Sequence, residues 1–150
     1  MGKFRSEICR SMSAIVADTH AIVWYFRSPE KLASDASIAF DHAVNNGYPV
    51  HISAISIVEI TYLVEKNRLP QVALDQLIEN LADPDVGLVV VPMDILIART
   101  LAKISRETVP EMGDRIIAAT ALYLGLPLVT KDHKIRNLDV IQTIWDSPNS

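Results

Sequence analysis

Short continuous apolar runs alternate along this chain with longer stretches in which apolar residues recur at helical spacing. Ala14-Ile15-Val16-Ala17 reads as a first buried strand, and residues 21–26 as a helix. Ser28-Pro29-Glu30 is a turn and helix start, and Leu32, Ala36, Ile38, Ala39, Phe40 and Ala43 suit a helix that ends at Asn46-Gly47. Residues 48–53 predict a second strand. The next helix begins within Ser53-Ala54-Ile55-Ser56, where either serine can cap it, and runs through Glu65. Pro70 opens a helix over 71–81, and after the loop Asp83-Pro84-Asp85 a third strand covers 87–91. Pro92 starts a helix through Ile104, with Arg99, Lys103 and Arg106 facing outward. Near the end, residues 133–138 suit one helical turn and residues 140–145 a final strand. Strands and helices that alternate in this way predict an α/β fold with a mainly parallel sheet of 4–5 strands and right-handed crossovers.

One stretch, 114–132, organises the rest. Residues 114–124 carry helix formers and no charge after Arg115, Gly125 is a natural C′ residue, and Pro127 prevents continuation. Residues 126–130 then read as a short buried strand. A helix of about 11 residues and a strand of about 5 residues both span ~16 Å. Packed antiparallel, they place Asp114 beside Asp132 at one edge of the sheet, where open α/β folds bind ligands.

The length of 150 residues suits one domain with a real core. A net charge of −4 argues against holding nucleic acid mainly by bulk charge, although a local basic rim remains compatible with it. Cys9 is the single cysteine, so no intrachain disulfide forms and a reducing cytoplasm is the expected setting. The longest nearly apolar run, 116–129, is too short and too broken to cross a bilayer. Residues 1–13 show no periodicity and no apolar signal-peptide core; with Met12 as a plausible start, they read as a flexible extension to a domain over 14–146, with 147–150 as a tail.

Four carboxylates fall at the same sheet edge. Asp18 follows the first strand, Glu59 lies in the first turns of the helix after the second, Asp114 heads its helix and Asp132 follows its strand. Each has an ordinary alternative, capping for Asp18 and the helix dipole for Glu59. Together they repel unless a cation neutralises them. An oxygen-only donor set favours Mg²⁺ or Mn²⁺ over zinc, and such ions activate water and stabilise displacement at a phosphodiester.

The segments VADTHAIVWYF, SAISIVEITYL and GDRIIAATALYLGLPLVTKD and the closing strand, spanning about 14–146, resemble a PIN domain of the VapC toxin type. The combination of D-T, S-x-x-S-x-x-E, D-R-x-I-x-A-x-A and T-x-D carries the resemblance. It implies a three-layer sandwich and a metal-dependent endoribonuclease with one or two ions, acting on RNA and leaving 5′-phosphate and 3′-hydroxyl ends. It also implies inhibition by a small antitoxin and a homodimer. Asp18, Glu59, Asp114 and Asp132 match the acidic quartet that is both catalytic and metal-holding, with Asp18, Asp114 and Glu59 on the main ion and Asp132 direct or through water. Thr130 matches a supporting polar residue, and Thr19 and Arg115 are further candidate supports. Glu111-Met112-Gly113 departs from the Asp-Pro of related sequences, which leaves the role of Glu111 open.

Arg115 either steers the Asp114 carboxylate, contacts phosphate or forms a structural salt bridge. Lys131, Lys134 and Arg136, with His133, are candidate RNA contacts on a basic rim, against the alternative of a solvated face. His20 is assigned to local packing or hydrogen bonding. Trp24, Tyr25 and Phe26, with Tyr62 and Leu63, offer either a groove for a partner helix or plain core packing. A phosphotransfer enzyme or receiver domain also keeps an Asp after its first strand, yet Asp18-Thr19-His20 lacks the Asp-x-Asp of aspartyl phosphatases and leaves Glu59 unexplained. A non-catalytic interaction module has no need to crowd four acids.

Overall fold

The computed structural model describes residues 13–146, so the expected extension, apart from Ser13, and the tail lie outside the described residues. Five strands, β1 (Ile15–Ala17), β2 (Val50–Ser53), β3 (Leu88–Val91), β4 (Leu128–Val129) and β5 (Thr143–Ile144), form one sheet in the order β3-β2-β1-β4-β5. Every pairing is parallel, with Ala17 level with Ile52 on one side and Val129 on the other. The order reverses at β1. The chain builds outward from β1 to β2 and β3, then returns to lay β4 and β5 on the opposite side. The crevice beyond the carboxyl ends of β1 and β4 is therefore the topological switch point where such sheets bind ligands.

Seven α-helices are described: α1 (Thr19–Arg27), α2 (Ser34–Asn45), α3 (Ala54–Glu65), α4 (Gln71–Ala82), α5 (Ile95–Thr100), α6 (Met112–Leu124) and α7 (His133–Arg136). Alternate residues of β1 point to opposite faces and seed separate cores. Ile15 and Ala17 pack with Ala21, Ile22, Phe40 and Ile60, whereas Val16 packs with Ile97, Ile104, Ile117 and Ala118. These are the three layers expected of the resemblance.

Several boundaries differ from the sequence expectation. The helix expected to start at Ser28-Pro29-Glu30 is broken. Pro29–Lys31 closes a 3-10 turn, Leu32 and Ala33 are extended against the first core, and α2 begins at Ser34. The helix expected from Pro92 begins at Ile95, because Asp94 caps it by accepting from the Ile97 amide at 3.0 Å, and it tightens into a 3-10 turn at Leu101–Lys103. The strands expected over 126–130 and 140–145 shrink to Leu128–Val129 and Thr143–Ile144. Pro127 has no N–H for the ladder, but its carbonyl accepts from Val16 at 2.9 Å. Gly125 ends α6 at φ 68°, as its C′ assignment requires. Among the described residues no helix is long and apolar enough to cross a membrane.

Candidate active site

The ladder continues one residue past each central strand, and that extension builds the site. Asp18 N–H donates to the Val129 carbonyl at 3.1 Å, and Thr130 N–H donates to Ile144 at 3.1 Å, so Asp18 and Thr130 stand side by side. Asp18 caps α1, its Oδ1 accepting from Ala21 N–H at 2.8 Å, while its Oδ2 accepts from the Thr130 hydroxyl. The capping reading therefore holds, and the same carboxylate lines the cleft described below. The Thr130 oxygen in turn accepts from Asp132 N–H at 3.1 Å. One buried hydroxyl thus fixes Asp18 and the loop that carries Asp132. Asp132 caps α7, its Oδ1 accepting from Lys134 N–H at 2.8 Å and Ile135 N–H at 3.1 Å.

Glu59 enters from the second turn of α3. Ser53, Ser56 and Glu59 are spaced by three and share one face of that helix. Ser53 caps it, accepting from Ile55 N–H at 3.2 Å. Thr19 donates its only hydroxyl proton to Glu59 Oε1, which makes Ser56, 2.9 Å away, the donor to Thr19. Thr19 is thereby a support for Glu59, and Thr130 one for Asp18.

Asp18, Thr19, Glu59 and Asp132 line a cleft of about 560 Å³ together with His20, Trp24, Tyr62, Leu63, Glu111, Asp114, Ile117 and Lys131. All four acids expected at the sheet edge are here, and Glu111, whose role the sequence left open, is a fifth. Burial, with Asp132, Glu111, Glu59 and Asp18 adding like charge, pushes the Asp114 carboxyl up to about 7. No hydrogen-bond donor among the described residues reaches that side chain. Burial also raises Asp18, against the opposing pull of its hydrogen bonds to Thr130 and Ala21 and of nearby His20.

Arg115 does not support the site. Its Nη2 donates to the carbonyls of Leu101 and Ile104 at 3.1 and 3.0 Å, tying α6 to the 3-10 turn after α5, and its buried Nε has no partner among the described residues. It caps carbonyls, which is none of the three roles read from the sequence. Of the basic rim, Lys131 lines the cleft, its ammonium 5.6 Å from the Trp24 ring centre; Lys134 and Arg136 are exposed on α7, outside the lining. His20 packs 5.7 Å from Trp24, in accord with its packing assignment. The aromatic group divides. Tyr25 stacks on fully buried Phe40 at 4.4 Å and Phe26 joins the core, whereas Trp24, Tyr62 and Leu63 face the cleft.

An all-oxygen donor set with one carboxylate lacking any donor suits a hard divalent cation. Among the described residues no three acidic, histidine or cysteine side chains stand in ligand geometry around one point, so the acids share a cleft without being drawn into a closed shell.

A family model described as the PIN domain matches residues 15–141. Ribonuclease VapC22 of Mycobacterium tuberculosis is 30% identical over 128 residues, covering 84% of this chain and 92% of that protein. Among solved structures, VapBC2 of Rickettsia felis bound to a promoter DNA fragment superposes with a TM-score of 0.67 at 17% identity, covering 89% of this chain and 99% of the other. FitAcB of Neisseria gonorrhoeae does so with a TM-score of 0.55 at 22% identity, covering 86% and 95%. With the family model spanning most of the described domain and a VapC relative aligned across it, the chain belongs to the PIN-domain family and is of the VapC type.

Proposed function

We propose that this protein is a metal-dependent endoribonuclease and the toxin of a toxin–antitoxin pair. The observation that carries this reading is the cleft at the switch point, where Asp114 lies among four other carboxylates with no donor of its own. Asp18, Asp114 and Glu59 would hold Mg²⁺ or Mn²⁺ after drawing together around it, with Asp132 assisting directly or through water. A bound ion supplies an activated water and offsets charge on the phosphate. The remaining work falls to the protein. Thr130 and Thr19 orient Asp18 and Glu59 through neutral hydroxyls, which aim each carboxylate without cancelling its charge. Lys131 places a cation at the wall of the cleft, where a phosphodiester approaches the acids. No side chain is the nucleophile, and hydrolysis leaves 5′-phosphate and 3′-hydroxyl ends.

The partner is a small antitoxin, a reading supported by the fold's likeness to a solved toxin–antitoxin complex from Klebsiella pneumoniae, with a TM-score of 0.58 at 17% identity; the oligomer is a homodimer within that complex, in the cytoplasm. The test is cleavage mapping on total RNA with Mg²⁺ or Mn²⁺, with chelator and Asp114→Asn as controls. Discrete ion-dependent cuts that vanish in the variant are expected. Cleavage by folded Asp114→Asn at the wild-type rate would sink the assignment.

A further inference from the structure

We propose that Gly113 is a positioning residue for Glu59: the side chain missing at 113 is the space that the Glu59 carboxylate occupies. The inference rests on the ion-site reading above and adds to it a residue that neither the acidic quartet nor its hydroxyl supports include.

Glycine at 113 has no backbone explanation. Gly47, Gly87 and Gly125 all sit at φ near +70°, where glycine relieves strain, and a Cβ on any of them would meet nothing within 4 Å. Gly113 is the opposite case. It is the second residue of α6 and is not among the positive-φ residues, so its backbone suits any amino acid. Alanine is the better helix former there. Yet a Cβ at 113 would run into Glu59 Oε2 and approach its carboxyl carbon to 3.1 Å.

The carboxylate is thus held from two sides. Oε1 accepts from Thr19 on α1, and Oε2 lies against the first turn of α6, where the helix dipole favours a negative charge. Asp114 is the next residue of that turn, so the contact sets where Glu59 stands relative to Asp114. The group in the way of a Cβ is the far end of a flexible side chain. It yields by swinging aside, so the fold tolerates alanine while the carboxylate leaves its place.

The test is Mn²⁺ titration calorimetry on the full chain for wild type, Gly113→Ala, Glu59→Asp and the double variant, with melting in chelator as the folding control. Gly113→Ala should melt no lower than wild type and bind Mn²⁺ about tenfold more weakly, the scale of losing an outer support of a ligand. In the Glu59→Asp background, where the shorter side chain withdraws from residue 113, the same change should cost less than about twofold. Unchanged affinity in Gly113→Ala, or an equal loss in both backgrounds, overturns this inference and leaves the ion site standing. Absence of Mn²⁺ binding by the wild type overturns both.

Discussion

Replacing Asp114 by asparagine in ion-free protein should make the fold more stable at neutral pH, although the same change removes a residue assigned to the site. The Asp114 carboxyl titrates near 7 in the folded chain, against an ordinary value of 3.8. At about 1.4 kcal/mol per unit, a shift of roughly three units corresponds to ~4 kcal/mol for a fully buried group. Asp114 is only half-buried, and solvent screening leaves about 1–2 kcal/mol of that. The sign follows from proton counting. Between about pH 4 and pH 7 the folded chain holds this proton and the unfolded chain does not, so stability falls as pH rises across that window and stays level above it. Asparagine carries the same shape and cannot ionise. The variant should therefore match wild type near pH 4, gain roughly a third of the difference by pH 5, and melt about 2–8 °C higher at pH 8. Calorimetric melts in chelator at those values test it, and added Mn²⁺ should stabilise wild type more than the variant by binding the native state. Identical melting of the two proteins at pH 5 and pH 8 would refute the claim that like charge and burial crowd Asp114.

Arg115→Ala should lower stability by about 2–3 kcal/mol, since it removes bonds from a charged donor to the Leu101 and Ile104 carbonyls; Mn²⁺ affinity should not change, and a variant that melts normally but loses the ion would return Arg115 to the site. Thr130→Val should cost about 1–3 kcal/mol in urea unfolding, because it leaves buried Asp18 Oδ2 without its donor. Thr130→Ser, which keeps the hydroxyl, should unfold close to wild type, and equal losses in both variants would mean that packing, not the hydrogen bond, is what Thr130 supplies.

What was legible in the sequence is what repeats along it. The matched lengths of the helix after Asp114 and the strand before Asp132 were enough to bring those two acids to one cleft, because helix rise and strand rise are fixed by backbone geometry. Spacing by three in Ser53, Ser56 and Glu59 shows a shared helix face. It does not show that Ser56 reaches Thr19, a residue 37 positions away. Arg115 was misread for the same reason. Its neighbour in sequence is an acid, but its partners are carbonyls 11 and 14 residues earlier, on an element whose end is decided by packing. The break at Leu32-Ala33 was also hidden, since a partly buried extended pair and a partly buried helical turn carry the same apolar residues. Gly113 was visible as a letter. Its meaning required knowing which side chain fills the space beside it.

The hydrogen bonds at the cleft explain how a fold can carry such crowding and keep it useful. Among the described residues every donor to these acids is neutral: the hydroxyls of Thr130 and Thr19, and the backbone amides of Ala21, Lys134 and Ile135. The two nearby cations are held elsewhere, Arg115 on carbonyls and Lys131 over Trp24, and among the described residues no lysine or arginine pairs with Asp18, Glu59, Asp114 or Asp132. Had Arg115 turned to Asp114, a bidentate ion pair would have neutralised the carboxylate and stabilised the empty cleft. Neutral donors do something different. They fix direction and leave the negative charge in place, so the repulsion is relieved by a proton on Asp114 or, on the proposed reading, by a metal cation from solution. On the proposed ion-site reading, the instability of the ion-free cleft and its affinity for an ion have one origin in the crowded negative charge, which is why Asp114→Asn should lower both.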